Sequence, residues 1–217
     1  MANTQDTRAR LLRAAGEVFA EVGYQAATVR AICARAGANV AGINYHFGDK
    51  LGLYTALLQR AARENEVYLA DVARARTPED ALRQFVRGML RRLTQKDRLA
   101  WYAKMMAHEL VQPTPALAAA VEHLIAPNAK VLYETVGRIL GRPPLEAKTR
   151  MCADSIIGQV AHYVHARPVI ARLWPEFQLT DRMVEELAGH ITDFSLEALR
   201  AMKRKANGKP GCGKRSK

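Results

Sequence analysis

Apolar residues in this sequence recur at spacings of three and four, which is the period of a helix that buries one face. No segment shows the strict alternation of apolar and polar residues that is typical of a half-buried strand. The first apolar stripe comprises Leu11, Leu12, Ala15, Val18, Phe19 and Val22. Gly23 is placed to end that helix, because glycine readily adopts a left-handed conformation. We therefore predict an all-α protein.

Residues 28–47 predict two short helices separated by a glycine. Thr28 is a favoured N-cap for the first of them, and Gly37 ends it after about two turns. Its apolar face comprises Val29, Ile32, Cys33 and Ala36. Asn39 can cap the second helix in the same way. Two short helices joined by a tight turn and braced by a longer helix form a helix-turn-helix, whose second member can enter the major groove of DNA.

The second short helix carries residue types suited to reading base edges. If Ile43 and Phe47 face the first two helices, Val40, Ala41 and Asn44 face away from them. Asn44 can donate to and accept from an adenine edge, and the two small apolar side chains can contact a thymine methyl group. The pattern therefore predicts base contacts from this face.

Neighbouring residues predict contacts that position this helix on DNA. A glycine inside a helix needs a reason, and close approach of the backbone to DNA is one explanation for Gly42. Tyr45 and His46 can donate hydrogen bonds to phosphates. Lys50 opens the next helix, where free N–H groups and a positive charge together favour a phosphate.

Residues 28–58, TVRAICARAGANVAGINYHFGDKLGLYTALL, resemble the DNA-binding signature of the TetR family of bacterial transcriptional regulators. The specific resemblance covers roughly residues 8–60. It implies base contacts from Arg30, Val40, Ala41, Gly42 and Asn44. It implies phosphate contacts from Thr28, Asn39, Tyr45, His46 and Lys50. The Asn44-Tyr45 pair departs from the aromatic residue that often precedes the aromatic-His-Phe run in this family, so the base-reading chemistry there does not carry over.

The rest of the chain predicts a larger helical domain. We expect helices from Lys50 into the seventies, from Pro78 through Leu93, and over 97–111, 115–140 with a kink at Pro127, 145–166 and 181–203. The predicted domains are a helix-turn-helix domain over 1–50, a ligand-binding and dimerisation domain over 51–203, and a basic disordered tail over 204–217. The segments at 108–115 and 166–170 resemble the CecR-like subgroup, which suggests control of efflux or stress genes.

The last two predicted helices carry long apolar stripes. The candidate dimer contacts are Ile156, Val160, Val164, Leu187, Ile191 and Phe194. The stripes alone leave two alternatives open, a dimer interface or completion of the core of one chain. The resemblance favours the interface, because members of the family are typically two-fold dimers that pack these two helices together. Two helix-turn-helix domains, which we call heads, about one turn of DNA apart would read a palindromic operator.

The middle of the chain is rich in methionine and aromatic residues, which suit an adaptable apolar pocket, although core packing is their commoner role. The candidate effector-binding residues are Tyr68, Phe85, Met89, Trp101, Met105, Glu109, Tyr133 and His162. By resemblance, a small-molecule effector bound there would shift the heads and release a repressor from its operator.

The net charge of +12 suggests a polyanionic partner, but residues 203–217 supply seven Lys/Arg and no Asp/Glu. A non-specific architectural DNA-binding protein is therefore one alternative. His108, Glu109, His162 and His165 leave a metal-responsive regulator as another, although their spacing is weak. We predict no enzyme, no cofactor, no membrane span and a cytoplasmic protein, with Cys33 and Cys152 buried and Cys212 exposed.

Overall fold

The computed structural model describes residues 4–94 and 100–207, and its regular elements are all helical. The α-helices are α1 (Thr4–Ala26), α2 (Val29–Ala36), α3 (Val40–Phe47), α4 (Lys50–Ala73), α5 (Pro78–Thr94), α6 (Ala100–Val111), α7 (Ala116–Ala120), α8 (Ala126–Leu140), α9 (Ala147–His165), α10 (Arg167–Leu173) and α11 (Asp181–Asn207). A π-helical turn, Val121–Ile125, joins α7 to α8. The prediction of an all-α fold is confirmed.

The helix-turn-helix forms where the sequence places its caps. The Thr28 hydroxyl oxygen accepts the Ala31 N–H at 3.1 Å, and the Asn39 side-chain oxygen accepts the Gly42 N–H at 2.9 Å. Between them Gly37 adopts a left-handed conformation, with φ of 58°, that ends α2. The two short helices therefore begin and end through their own side chains and backbone.

Helix α1 braces this pair but differs from its prediction at the C-terminal end. Gly23 has φ of 75° and kinks the helix, after which one more turn follows to Ala26. Val22, predicted on the apolar stripe, is exposed beside that kink. The other five residues of the stripe are buried.

The described part of the molecule contains two apolar cores. The first core, which we call the head core, packs α1, α2 and α3 with the first half of α4 and with α6 and α7. Tyr102 of α6 is buried in it and donates to the Leu57 carbonyl at 2.6 Å. The second core packs the end of α4 with α5, α8, α9 and α11. A boundary at residue 50 does not separate these cores, because α4 takes part in both.

Two segments bear on the predicted helix limits. Residues 116–140 are helical without a break, and the π-helical turn lies just before Pro127, where a kink was predicted because proline has no N–H to donate. Helix α11 continues to Asn207, so the first four residues of the predicted tail are helical. The remainder of that tail, including Cys212, lies outside the described residues. Cys33 and Cys152 are buried, as predicted. Within 4–94 and 100–207, no helix combines the length and apolarity needed to cross a membrane.

Candidate nucleic-acid interface

Helix α3 turns one face to the head core and leaves the other uncovered. Ile43 is completely buried against the neighbouring helices, and Phe47 is half-buried on the same side. On the opposite side Val40 is 42 % exposed, and Ala41 and Asn44 are exposed as well. The Asn44 side chain donates to and accepts from no other group in the described part of the chain, so its amide can pair with an external partner.

The capping residues keep donors available beside this face. Each cap uses only a side-chain oxygen as acceptor, so the Thr28 hydroxyl and the Asn39 amide can still donate outward. Arg30 is exposed on α2, and Tyr45 is 80 % exposed with its ring edge-on to His46. These predicted contact residues therefore lie on the uncovered side of the helix-turn-helix or at its edge.

Gly42 does not have the position that its sequence suggested. A Cβ built there would lie 3.5 Å from the Leu11 side chain and 3.9 Å from Thr7, both on α1. Gly42 therefore faces the protein rather than DNA, and ordinary van der Waals contact explains its half-buried state. The helical phase that buries Ile43 also turns Gly42 toward α1, which disfavours the base contact, and that contact stays a prediction.

Lys50 is engaged inside the protein rather than free for a phosphate. Its ammonium group donates to the carbonyls of Tyr24 and Ala27, each at 3.0 Å. It also lies 4.4 Å from the centroid of the Tyr24 ring, a cation–π distance. Lys50 thus joins the start of α4 to the end of α1 and to Ala27. These contacts use two of its three N–H donors and disfavour the phosphate contact, which stays a prediction.

Replacing Lys50 by Met is therefore expected to lower stability rather than the salt dependence of DNA binding. The change removes two charge-assisted hydrogen bonds and leaves two carbonyls without a donor, which costs about 2 kcal/mol. Urea unfolding of this variant and of the exposed control Lys130→Met measures the difference. If the unfolding free energy is unchanged and the DNA affinity depends less steeply on salt, Lys50 contacts a phosphate after all.

Three supporting residues were not recognised in the sequence. Arg10 of α1 donates to the Ala36 carbonyl at 3.2 Å and so holds the end of α2. Asp49 caps α4 by accepting the Gly52 N–H at 2.7 Å. Arg8 lies over the Phe47 ring at 5.3 Å, which places an exposed guanidinium beside α3. The Asp49 cap was recognisable from its position before a helix, whereas the two arginines required knowledge of how α1 packs.

The eight predicted effector-binding residues are distributed over both cores and the surface. Trp101 and Met105 belong to the head core, and Trp101 lies so close to α1 that a Cβ on Gly16 would be 2.1 Å from its ring. The second core contains Phe85 and has three further members of the set packed against it: Tyr68, Met89 and Tyr133. The set therefore spans two cores, because helical spacing does not reveal which core a stripe enters, and its role in effector binding stays a prediction.

The two remaining members have other surroundings. Glu109 is buried and accepts hydrogen bonds from the backbone N–H and the hydroxyl of Thr114, at 3.0 and 2.8 Å, so it joins α6 to the segment before α7. Burial and the nearby Glu109 charge raise the pKa of Tyr54. His162 is exposed on α9 with its ring edge-on to Tyr163. Among the residues with described side chains, no three His, Cys, Asp or Glu groups are arranged to hold a metal ion.

The predicted dimer stripes lie mostly inside one chain. Five of their six residues are buried in the second core: Ile156, Val160, Val164, Leu187 and Ile191. The chain's own helices already cover those five, so they have little surface left for a second copy, and their role in a dimer stays a prediction. Phe194 differs, since it is 63 % exposed on α11.

Comparisons with known proteins agree with this architecture. Residues 11–57 match the model of the TetR family of bacterial regulatory proteins, and residues 78–199 match the C-terminal domain of the transcriptional dual regulator CecR. CecR of Shigella flexneri is 28 % identical over 213 residues, covering 90 % of this chain and 93 % of that protein. The transcriptional repressor AcnR of Corynebacterium glutamicum is 39 % identical over 85 residues, covering 39 % of this chain and 41 % of that protein.

A solved structure shares the fold at low identity. The transcriptional regulator FadR of Bacillus subtilis, in complex with stearoyl-CoA, superposes with a TM-score of 0.64 at 19 % identity, covering 89 % of this chain and 98 % of that one. The two family models together span the helix-turn-helix and most of the second core. These relatives are transcriptional regulators, in agreement with the prediction that the chain is not an enzyme. The chain therefore belongs to the TetR family of transcriptional regulators and carries a C-terminal domain of the CecR type.

Proposed function

We propose that this regulator is a homodimeric, sequence-specific DNA-binding protein that represses transcription until a small molecule releases it from a palindromic operator. The observation that carries the proposal is the uncovered face of α3, where Val40, Ala41 and Asn44 stand opposite the buried Ile43. Apolar contacts and a free amide are the two kinds of contact that distinguish bases in the major groove. Repression is proposed because AcnR, a relative over the DNA-binding part, is a transcriptional repressor.

Phosphate contacts would position this face. The hydroxyl of Thr28 and the amide of Asn39 retain donors at the N-terminal ends of α2 and α3, where backbone N–H groups favour anions. Tyr45 and the half-buried His46 follow on α3, and exposed Arg8 adds a positive charge beside Phe47. These contacts set the register of the head and carry little sequence information.

The outer faces of α9 and α11 are the surface proposed for the dimer. Phe194 and Met151 are large apolar side chains left exposed there, at 63 % and 56 %. A Cβ on Gly158 would meet no atom within 4 Å, so a second backbone can approach that side of α9 closely. Exposed apolar side chains around a small residue suit a helix-to-helix contact between two copies.

Replacing Phe194 by Glu is expected to convert the dimer to a monomer, because the change places a charge at the centre of an apolar contact. Leu173→Glu is the matched control, since Leu173 is 81 % exposed on α10, away from those two faces. Light scattering after size-exclusion chromatography measures the mass of each variant. If both variants keep the mass of the wild-type dimer, the proposed interface is wrong.

Helix α6 provides a route from the effector to the heads. Trp101 packs on Gly16 of α1, and His108 packs on Gly23, where a Cβ would lie 3.0 Å from the imidazole ring. A shift of α6 therefore moves α1, the helix that braces α2 and α3. An effector that prefers the DNA-incompetent arrangement by about 1 to 3 kcal/mol would change operator affinity about 5- to 150-fold.

Selection of genomic fragments by the purified protein at physiological salt tests this function. Enrichment of a few fragments that share an inverted repeat is the expected outcome. Deletion of residues 208–217 is the control for the basic tail, and it should reduce affinity in a salt-dependent way while keeping the same fragments. Diffuse enrichment that vanishes with the tail would instead indicate an architectural DNA-binding protein.

A further inference from the structure

Two guanidinium groups donate to carbonyls of α5 and have no acidic partner among the residues with described side chains. Arg92 of α5 donates from Nε to the Gly88 carbonyl at 3.3 Å, and Arg167, the first residue of α10, donates to the Leu93 carbonyl at 3.3 Å. Neither guanidinium has a described carboxylate within 4 Å, whereas three other arginines of α5 pair with acidic residues of α11: Arg83, Arg87 and Arg91.

Arg92 retains hydrogen-bonding capacity after its internal contacts are counted. Its guanidinium has five N–H groups. Besides the Gly88 carbonyl, it donates to the side-chain oxygen of Asn65 and, at 3.8 Å, to the sulfur of Met89. Two N–H groups therefore have no acceptor in the described part of the molecule. At Arg167 the Nε–H is buried and has no partner within the same residues.

The surroundings hold Arg92 in a fixed orientation. Its guanidinium lies 3.8 Å from the centroid of the Tyr68 ring, and Tyr68 is itself fixed by donating to the Phe85 carbonyl. Asn65, which orients the guanidinium, is only 5 % exposed. A planar donor group held on an aromatic ring and oriented by a buried amide is preorganised to bind a planar or tetrahedral anion.

The positive charge at this place is not balanced by the helix end. Burial lowers the pKa of both Arg92 and Arg167, which nevertheless stay protonated because arginine does not lose its proton in proteins. The C-terminus of a helix supplies about half a negative charge. The full positive charge of a guanidinium therefore exceeds what the dipole of α5 offsets, so an anion bound at Arg92 would be stabilised.

We propose that Arg92 binds the anionic group of the effector, which is therefore an amphipathic organic acid bearing a carboxylate or a phosphate. Met89 and Leu93, half-buried beside the two arginines, supply apolar contacts for the rest of such a molecule. The assignment of this molecule as the effector rests on the proposed function, but its binding at Arg92 does not.

Three ten-carbon probes test the anion class: decanoate, decyl phosphate and the neutral decanol. Calorimetric titration of wild type should show that at least one of the two anions binds more tightly than decanol, and the better anion identifies the preferred head group. In Arg92→Gln that anion should lose about 10- to 150-fold in affinity, the range for charge-assisted hydrogen bonds, while decanol is unchanged. Arg91→Gln is the matched control, because Arg91 is the adjacent arginine and pairs with Glu185 on the surface.

Two outcomes would overturn the anion site: equal binding of all three probes by wild type, or full retention of the anion preference in Arg92→Gln. Circular dichroism checks that the variants fold. Arg92→Lys keeps the charge but not the planar pair of N–H donors, so it should lose an intermediate amount of anion affinity. Operator selection with the same samples separates the two claims. Wild type that selects an operator without preferring an anion would refute only this inference, whereas anion binding without any operator would refute only the proposed function.

Discussion

Replacing Asn44 by Ala is expected to reduce the preference for operator over random DNA by about 30- to 20,000-fold. A side-chain amide paired with an adenine contributes about 1 to 3 kcal/mol of discrimination, and a dimer makes the contact twice. The side chain is exposed and has no internal partner within the described residues, so stability should not change. Competition binding against operator and random duplexes measures the ratio.

Gln59→Ala is the control for this prediction, because Gln59 is an exposed polar residue of α4 beyond the helix-turn-helix. It should leave the ratio of the two affinities unchanged. If Asn44→Ala weakens binding to both duplexes by the same factor, Asn44 contacts phosphate rather than bases. The division of roles along α3 would then be wrong.

Replacing Gly52 by Ala is expected to cost about 3 kcal/mol of unfolding free energy, near the upper end for overpacked sites. A Cβ at this position would lie 1.9 Å from the carbonyl oxygen of Phe47, and that oxygen belongs to backbone that cannot rotate away. Either the start of α4 or the end of α3 has to move. We therefore expect loss of operator binding as well, because α3 would change its orientation.

Gly189→Ala is the matched control, since it is also a helical glycine but a Cβ there meets no atom within 4 Å. Alanine is the better helix former, so this control should be neutral or gain up to about 1 kcal/mol. Urea unfolding of both variants gives the comparison. Equal stability of Gly52→Ala and wild type would show that the turn between α3 and α4 accommodates a side chain.

The parts of the site that were predictable depend on local sequence. Thr28 and Asn39 cap helices through backbone groups three residues away, and Ile43 is buried because of its phase on a short helix. Such interactions span only a few residues, so the residue types and their spacing are sufficient. The same locality explains why the limits of α2 and α3 agree with their predictions.

The contacts that the sequence did not reveal join distant residues. Lys50 is occupied by carbonyls more than twenty positions earlier in the chain, and only the packing of α4 under α1 brings them together. Trp101 enters the head core because Gly16 leaves room for its ring on α1. A periodic stripe shows that one face of a helix is buried. It does not identify the groups that Lys50 and Trp101 contact.

The dimer residues show the same limitation. The apolar stripes of α9 and α11 are buried in the core of their own chain, as the burial of Val160 and Ile191 shows. A surface for a second copy must therefore be sought in the apolar residues that remain outside the stripe, such as Phe194. Their spacing is irregular, so periodicity does not single them out.

Hydroxyl-radical footprinting on a selected fragment tests the central claim, that two copies of α3 read DNA as a symmetric pair, most directly. We predict two protected segments related by a two-fold axis, with centres about one helical turn apart or somewhat more. In Asn44→Ala this pattern should fade at concentrations that saturate wild type. Uniform protection along the fragment, unchanged in the variant, would contradict the account.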